Sequence, residues 1–286
     1  MMKKLYFDHN VIIDIQNSRK KSLQDVVNTL NENKYQIVFS PAHIEEIAAI
    51  IMHHNQQPEI VNDKLNFLAA LTNSVALLPY HRNNLELIEH DGIFVYREHP
   101  KDVYDRVIDN YDRNIIVEKH QQEKLSNGEN FENVHSVSSK ETNNINIVSE
   151  LDYFKPRLHQ MIIDFWRTYD SNLKEYMPEI CPKCADLNFQ YAKNYFPIHQ
   201  MMIEKLLEFL EVRRFFPDSP NQYLSSLHDT THAIYAGYCD IFVTNDNKLK
   251  QKVSAVYQWM GIKTSVLNAN EFRDYVANET TKNTPH

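Results

Sequence analysis

Residues 228–246, HDTTHAIYAGYCDIFVTND, decide the fold because they read as a helix that runs directly into a buried strand. Asp229 lies at the start of the predicted helix, and Asp246 follows the predicted strand at 241–244. A helix that leads into a parallel strand begins at the carboxyl edge of the sheet, where the preceding strand ended. Both carboxylates are therefore expected at one edge.

The first 80 residues show the same alternation of strands and helices. Residues 3–7 form a short β-rich run ahead of Asp8, and a helix follows from Val11. YQIVF at 35–39 predicts a second strand, and Ser40-Pro41 predicts the N-cap of the next helix. Further elements are predicted as a helix at 59–72, a strand at 75–79, a helix at 226–238, a helix ending at Trp259 and a strand at 262–267. This pattern predicts an α/β fold with a parallel sheet covered by helices on both faces.

The alternation stops between residues 83 and 220. Helical patterns at 159–174 and 187–212 flank no strand, and a polar stretch at 118–146 contains few apolar residues. We expect one α/β domain built from 1–82 and 221–286. A mostly helical insertion at 83–220, with a solvated or disordered stretch at 118–146, would separate its two parts.

Composition excludes several classes of protein. A chain of 286 residues with 42% apolar residues can bury a full core, and three cysteines favour a cytoplasmic location over a secreted disulfide framework. The net charge of −8 argues against a surface coated for nucleic acid, and four glycines leave no glycine-rich phosphate loop. The start, MMKKLYFDHNVIIDI, carries acids inside its apolar run, so neither a signal peptide nor a membrane span is expected.

Four acids are predicted to share the carboxyl edge of the sheet. Asp8 ends the first strand, and Glu46 lies early in the helix after the second, with its side chain leaning back toward the helix start. Asp229 and Asp246 reach the edge as described above. Carboxylates crowded together repel unless a cation lies between them, and a hard divalent ion such as Mg²⁺ with oxygen ligands is the usual solution. Such ions promote phosphodiester hydrolysis.

The chain resembles the PIN-domain (PilT N-terminus-like) nucleases. The matching segments are YFDHNVIIDI at 6–15, FSPAHIEEIAAI at 39–50, HDTTHAIYAGYCDIFVTNDNKL at 228–249 and IKTSVLNANEF at 262–272. The resemblance implies a PIN-like sheet and RNA cleavage with Mg²⁺ or Mn²⁺, and it covers roughly the first 80 and last 65 residues. The large helical insertion departs from compact toxin members of the family, which puts a toxin role in doubt.

The resemblance also implies roles for individual residues. Asp8, Glu46, Asp229 and Asp246 fall on the catalytic, metal-holding positions, and Asn10 and Thr244 fall on the supporting polar positions. Glu45 competes with Glu46 for the second position. Lys248 and Lys250 follow Asp246 and are candidates to flank a bound phosphate backbone.

Several other interpretations stay open. Each acid alone could cap a helix or follow a strand without function, and His228 and His232 are interpreted as packing or surface groups. The His-Asp pair at 228–229 resembles helical metal phosphohydrolases, but the strand that follows argues against them. CPKC at 181–184 has zinc-ligand spacing without four ligands nearby.

Two functions therefore remain after the sequence is read. The first is an endoribonuclease that binds RNA rather than DNA. The second is a catalytically silent binding module whose helical insertion recruits a protein partner. Self-association is open for either, and no membrane partner is expected.

Overall fold

The chain folds around a four-stranded parallel sheet with helices on both sides. A computed structural model describes residues 2–54, 58–108, 143, 146–168, 188–218 and 223–281. The strands are β1 Lys3–Phe7, β2 Tyr35–Val38, β3 Val75–Leu78, β4 Glu86–His90, β5 Phe94–Arg97, β6 Ile241–Val243 and β7 Ser265–Leu267. The parallel sheet has the order β2-β1-β6-β7, so strands from both ends of the chain alternate with helices in one sheet as predicted.

The helices fill the two faces of this sheet. Within the described residues they are α1 His9–Gln16, α2 Lys21–Asn28, α3 Pro41–His54, α4 Pro58–Thr72, α5 Pro100–Ile108, α6 Ile147–Thr168, α7 Phe189–Ala192, α8 Phe196–Val212, α9 Tyr223–Ala236, α10 Asn247–Met260 and α11 Ala269–Thr281. None of the described helices is long and apolar enough to span a bilayer.

Each central strand contributes side chains to two separate cores. Along β1, Leu5 and Phe7 pack with α1, α3 and α4, whereas Tyr6 packs with α8, α9 and α10 on the opposite face. Phe242 of β6 belongs to the same core as Tyr6. Because successive side chains of a strand point to opposite faces, a strand buried on both sides must be apolar throughout. This explains why KLYF and IFV read as continuous apolar runs.

A second, antiparallel sheet extends the first. Its order is β3-β5-β4, and a parallel bridge between Phe39 and Ala76 joins β3 to the end of β2. The Phe39 N–H donates to the Val75 carbonyl at 3.0 Å, and the Leu77 N–H donates to the Phe39 carbonyl at 2.7 Å. The amino-terminal part of β3 therefore lies beside the carboxyl end of β2.

The region between residues 83 and 220 is not purely helical. It begins with the hairpin of β4 and β5, which the sequence analysis missed. The strand ELIEH is largely exposed and lacks regular alternation, so a period-two pattern does not mark it. Apart from Asn143 and Asn146, the polar stretch 118–146 lies outside the described residues, as do Cys181 and Cys184.

Two predicted helices differ in extent. The helix expected at 187–212 is broken into α7 and α8, because Pro197 favours a new first turn at Phe196. The helix expected to start near Ser226 already begins at Tyr223, so Asp229 lies in its second turn and not at its first. No glycine or proline separates Tyr223 from Asp229, so nothing in the sequence ends the helix there.

We predict that Gly92→Ala destabilises the protein more than Gly261→Ala. Both glycines have left-handed backbones, with φ of 79° and 71°. A Cβ at Gly92 would lie 2.3 Å from the Lys193 carbonyl oxygen, whereas a Cβ at Gly261 meets no atom within 4 Å. Gly261→Ala should cost about 1–2 kcal/mol of unfolding free energy, the penalty of the backbone alone.

Urea unfolding of both variants measures this difference. Gly92 lies between β4 and β5, and the clash would push this hairpin away from the loop after α7. Equal losses of unfolding free energy would contradict the contact between the hairpin and the loop that follows α7.

Candidate functional site

The carboxyl ends of β1 and β6 bring Asp8, Thr244 and Asp246 together. The Asp8 N–H donates to the Val243 carbonyl at 2.9 Å, which continues the parallel ladder one residue past β1. The Thr244 hydroxyl donates to Asp8 Oδ2 at 2.9 Å and accepts from the Asp246 N–H at 3.1 Å. Thr244 thus links the residues that follow the two strands.

Asp8 occupies the N-cap position of α1, but its side chain does not cap the helix. The carboxylate is buried, and Oδ1 has no hydrogen-bond partner in the described part of the chain. Burial raises the pKa of Asp8 to about 6, and the negative charge of Glu46 adds to this, while His232 and the bond from Thr244 oppose it. A buried carboxylate oxygen without a partner is costly, so this atom needs a cation or a proton donor.

Asp229 is the least favourably placed of the predicted acids. Burial, together with the negative charges of Asp8, Asp246 and Glu46, raises the pKa of Asp229 to about 8. Among the largest contributions to the pKa of Asp229, that of His232 is the one that lowers it. The four predicted carboxylates therefore lie within electrostatic range of one another, and Asp229 is the one that their mutual repulsion affects most.

Glu46, by contrast, lies between two histidine side chains. Its Oε1 lies 3.3 Å from His232 Nε2, and its Oε2 lies 3.7 Å from His9 Nδ1. Burial disfavours the charged carboxylate, but His9 and His232 more than offset this and hold the pKa of Glu46 well below its usual range. Burial lowers the pKa of His9 to about 4, whereas the pKa of His232 is raised.

The acids around His232 favour its protonated form. Burial alone would lower its pKa, but Glu46, Asp8 and Asp229 raise it. His232 lies on α9 one turn after Asp229, so both side chains share a face of the helix. The sequence analysis interpreted this histidine as a packing group; its spacing from Asp229 was the one signal that pointed to the site.

Asp246 is the exposed member of the set. Its Oδ1 accepts from the N–H groups of Lys248 at 2.7 Å and Leu249 at 2.9 Å, and so caps α10. Both bonds use the same oxygen, so Oδ2 takes no part in the cap. Asp246 is therefore a structural cap as well as a neighbour of the buried acids.

The remaining predicted residues lie less directly at the site. Asn10 is exposed near the start of α1. Lys248 Nζ donates to the Pro217 carbonyl at 2.7 Å, and Lys250 pairs with the Glu271 carboxylate. Both lysines would have to release these partners to contact a phosphate. Glu45 is largely buried beside Glu46, and burial raises its pKa to about 7.

The donor set fits a hard divalent cation in its chemistry. Mg²⁺ and Mn²⁺ prefer carboxylate oxygens. Asp8 presents a buried carboxylate whose Oδ1 has no hydrogen-bond partner among the described residues, and Asp229 presents a half-buried one. In the described part of the chain, no three histidine, cysteine or acidic side chains already converge at ligand distances. Of the predicted acids, Asp8, Asp229 and Asp246 are the candidates to hold such a cation.

Comparisons of the chain with models of known protein families, with curated proteins and with solved structures found no match.

We predict that the contribution of Asp229 to the unfolding free energy falls as the pH rises from about 4 to about 8. The folded-state pKa of Asp229, about 8, lies above the ordinary value of 3.8, so the folded state binds the proton more tightly in this window. Asp8 contributes in the same direction up to about pH 6. Asp229→Asn cannot ionise, so its stability relative to the wild type should rise by more than about 1 kcal/mol between pH 5 and 8.

Urea unfolding in a chelating buffer measures the effect without interference from bound cations. Asp105→Asn on α5 is the matched control, because the Asp105 side chain is 60% exposed. It should follow the wild type at every pH. If the unfolding free energies of Asp229→Asn and the wild type change in parallel with pH, the predicted repulsion at Asp229 is absent.

Proposed function

We propose that the chain is a metal-dependent nuclease, and specifically an endoribonuclease that hydrolyses phosphodiester bonds with Mg²⁺ or Mn²⁺ in the cytoplasm. One observation carries this proposal: Asp8, which is buried, and Asp229, which is half-buried, lie at one sheet edge, the pKa of both is raised, and Asp8 Oδ1 has no hydrogen-bond partner among the described residues. The preference for RNA rests on the resemblance of the four sequence segments to PIN-domain nucleases.

A purely structural role does not account for these two acids. Buried charges are ordinarily paired, and Glu46 shows how this chain does so, with histidines on both sides. At Asp8 and Asp229 burial and mutual repulsion both favour the proton, which destabilises the folded protein near neutral pH. Strongly shifted carboxylates that cluster at one edge are typical of functional sites.

Individual residues of the chain would have separate roles at this site. A bound divalent cation would neutralise phosphate charge and make a nearby water more acidic. Asp8 and Asp229 would hold the cation, and Thr244 would fix the Asp8 carboxylate by its hydrogen bond to Oδ2. Asp246 would complete the set with Oδ2, the oxygen not used in the helix cap.

We expect Mn²⁺ to raise the melting temperature of the wild type, because a ligand that binds the folded state stabilises it by mass action. Asp8→Asn should lose most of this rise in melting temperature, since the substitution removes the carboxylate whose Oδ1 has no hydrogen-bond partner in the described residues. Asp105→Asn should retain it. Calorimetry that detects no Mn²⁺ binding to the wild type at millimolar concentrations would end the proposal.

Asp229→Asn should abolish Mn²⁺-dependent cleavage of RNA and leave RNA binding equal or tighter. The reason is that the substitution removes a negative charge from the site without removing a contact to phosphate. Gel assays with labelled RNA and DNA of the same sequence measure both quantities. The pH-stability curve described above provides the folding control, because this variant is expected to be at least as stable as the wild type.

The double variant Lys248→Ala, Lys250→Ala should behave in the opposite way. It should weaken RNA binding and flatten its salt dependence, and cleavage should recover at high RNA concentration. If Asp229→Asn cleaves RNA at the wild-type rate, the activity does not come from the site that contains Asp229.

A catalytically silent binding module is the second candidate. The observations that favour it are that Glu46 already contacts His232, and that no three ligands converge in the described residues. For this candidate the wild type binds RNA or a protein but cleaves neither RNA nor DNA with any divalent cation.

A further inference from the structure

A chain of buried polar groups lies beneath the acidic edge and ends on Glu46. The Ser40 hydroxyl lies 2.6 Å from the Tyr6 hydroxyl, which lies 2.8 Å from His232 Nδ1. On the other side of the same ring, Nε2 lies 3.3 Å from Glu46 Oε1. This last contact is an ion-pair contact and lacks the alignment of a regular hydrogen bond.

The protons of this chain can be arranged in two ways, and both place one on His232 Nε2. In the first, Ser40 donates to Tyr6 and Tyr6 donates to Nδ1, so the ring proton is on Nε2. In the second, Nδ1 donates to Tyr6 and Tyr6 donates to Ser40. Nε2 then needs a proton as well, because a lone pair that faces a carboxylate would repel it. His232 therefore presents a donor to Glu46 in either case.

The surroundings hold this ring in one orientation. Tyr6, Ser40 and His232 are fully buried, so water does not compete for their polar atoms. The His43 ring packs edge-on against His232 at 4.7 Å between centroids. His43 is itself fixed, because Nδ1 accepts from the Ser40 N–H at 3.1 Å and Nε2 therefore donates to the Phe7 carbonyl at 2.7 Å.

Packing alone does not require polar groups at these positions. Buried polar atoms cost free energy unless they are hydrogen-bonded, and apolar residues would fill the same space without that cost. Tyr6 lies two residues before Asp8 on the same face of β1, and His232 lies one turn after Asp229. The chain of polar groups thus runs directly under both buried acids.

We infer that His232 is a positioning residue for the proposed nuclease site: it holds the Glu46 carboxylate in place and is itself oriented by Tyr6 and Ser40. The inference rests on the proposed function. His232 fixes the direction in which the Glu46 carboxylate points, close to Asp8 and Asp229. Groups that orient a charged site residue in this way commonly change metal affinity or activity by about 10- to 100-fold when they are substituted.

Two substitutions of similar size separate the two sides of the ring. In His232→Asn the amide reaches the position of Nδ1 and can meet Tyr6, but it loses the donor to Glu46. In His232→Gln the amide reaches the position of Nε2 and can still donate to Glu46. We expect His232→Asn to weaken Mn²⁺ binding and lower kcat by about 10- to 100-fold with little change in KM. His232→Gln should lose clearly less of its Mn²⁺ affinity and of its kcat.

His199→Asn is the matched control. His199 is also fully buried and its Nε2 contacts a backbone carbonyl, that of Ile234, at 3.0 Å. Its substitution removes a buried imidazole without touching the acids. It should lower stability and leave Mn²⁺ affinity unchanged, which distinguishes a general loss of packing from loss of positioning.

A double-mutant cycle tests whether His232 acts through Glu46. If it does, His232→Asn should add little to the loss of Mn²⁺ affinity already caused by Glu46→Gln. The ¹⁵N and ¹H resonances of His232 Nε2 in the metal-free protein should also move in Glu46→Gln, independently of any activity. Additive losses, or unchanged resonances, would overturn the inference.

The outcomes separate this inference from the proposed function. A wild type that neither binds Mn²⁺ nor cleaves RNA overturns both, whatever the resonances show. A wild type that does both, with His232→Asn equal to it in Mn²⁺ affinity and kcat, overturns the inference alone. Equal losses in His232→Asn and His232→Gln would also overturn it, because the side of the ring that faces Glu46 would then have no special effect.

Discussion

The parallel pairing of β1 with β6 is the interaction on which the rest of the structure depends. It aligns Leu5 with Ile241 and Phe7 with Val243, and it continues when the Asp8 N–H donates to the Val243 carbonyl. Asp8 and Thr244, 236 positions apart in the chain, become neighbours as a result. Because side chains leave the strand ends at one edge, any acid that follows either strand must enter the same small region. Two of the helices between these strands add to the edge, because α3 supplies Glu46 and α9 supplies Asp229 and His232.

This crowding has a different consequence for each acid. Asp246 is exposed and accepts hydrogen bonds from the N–H groups at the start of α10. Glu46 lies against His9 and His232. Asp8 is buried and Asp229 is half-buried, and burial together with their neighbours raises the pKa of both. The surroundings of these two acids therefore favour the protonated form, whereas Asp246 and Glu46 have N–H groups close to their carboxylates. An added cation has most to stabilise between Asp8 and Asp229.

Local sequence signals were sufficient for the framework of the fold. Apolar runs such as KLYF and IFV predicted β1 and β6, and Ser40-Pro41 placed the start of α3 correctly at Pro41. Weakly patterned elements were missed: β4 is exposed and irregular, and the start of α9 has no glycine or proline to mark it. Ser40 also differs in its role, because its hydroxyl contacts Tyr6 instead of serving only as a cap. Whether an N-cap residue uses its side chain locally depends on groups far away in the sequence.

The same limit applies to the site. Sequence order placed the acids at one edge, because position after a strand is a local property, but it treated them as equivalent. Their differences arise from partners on other elements: Thr244 for Asp8, the histidines of α1 and α9 for Glu46, and the start of α10 for Asp246. Lys248 and Lys250 show the converse, since proximity to Asp246 in the sequence suggested phosphate contacts, whereas Pro217 and Glu271 hold both side chains. A pattern of acids thus predicts where charge collects, and only the long-range contacts determine which charges are left for a ligand to balance.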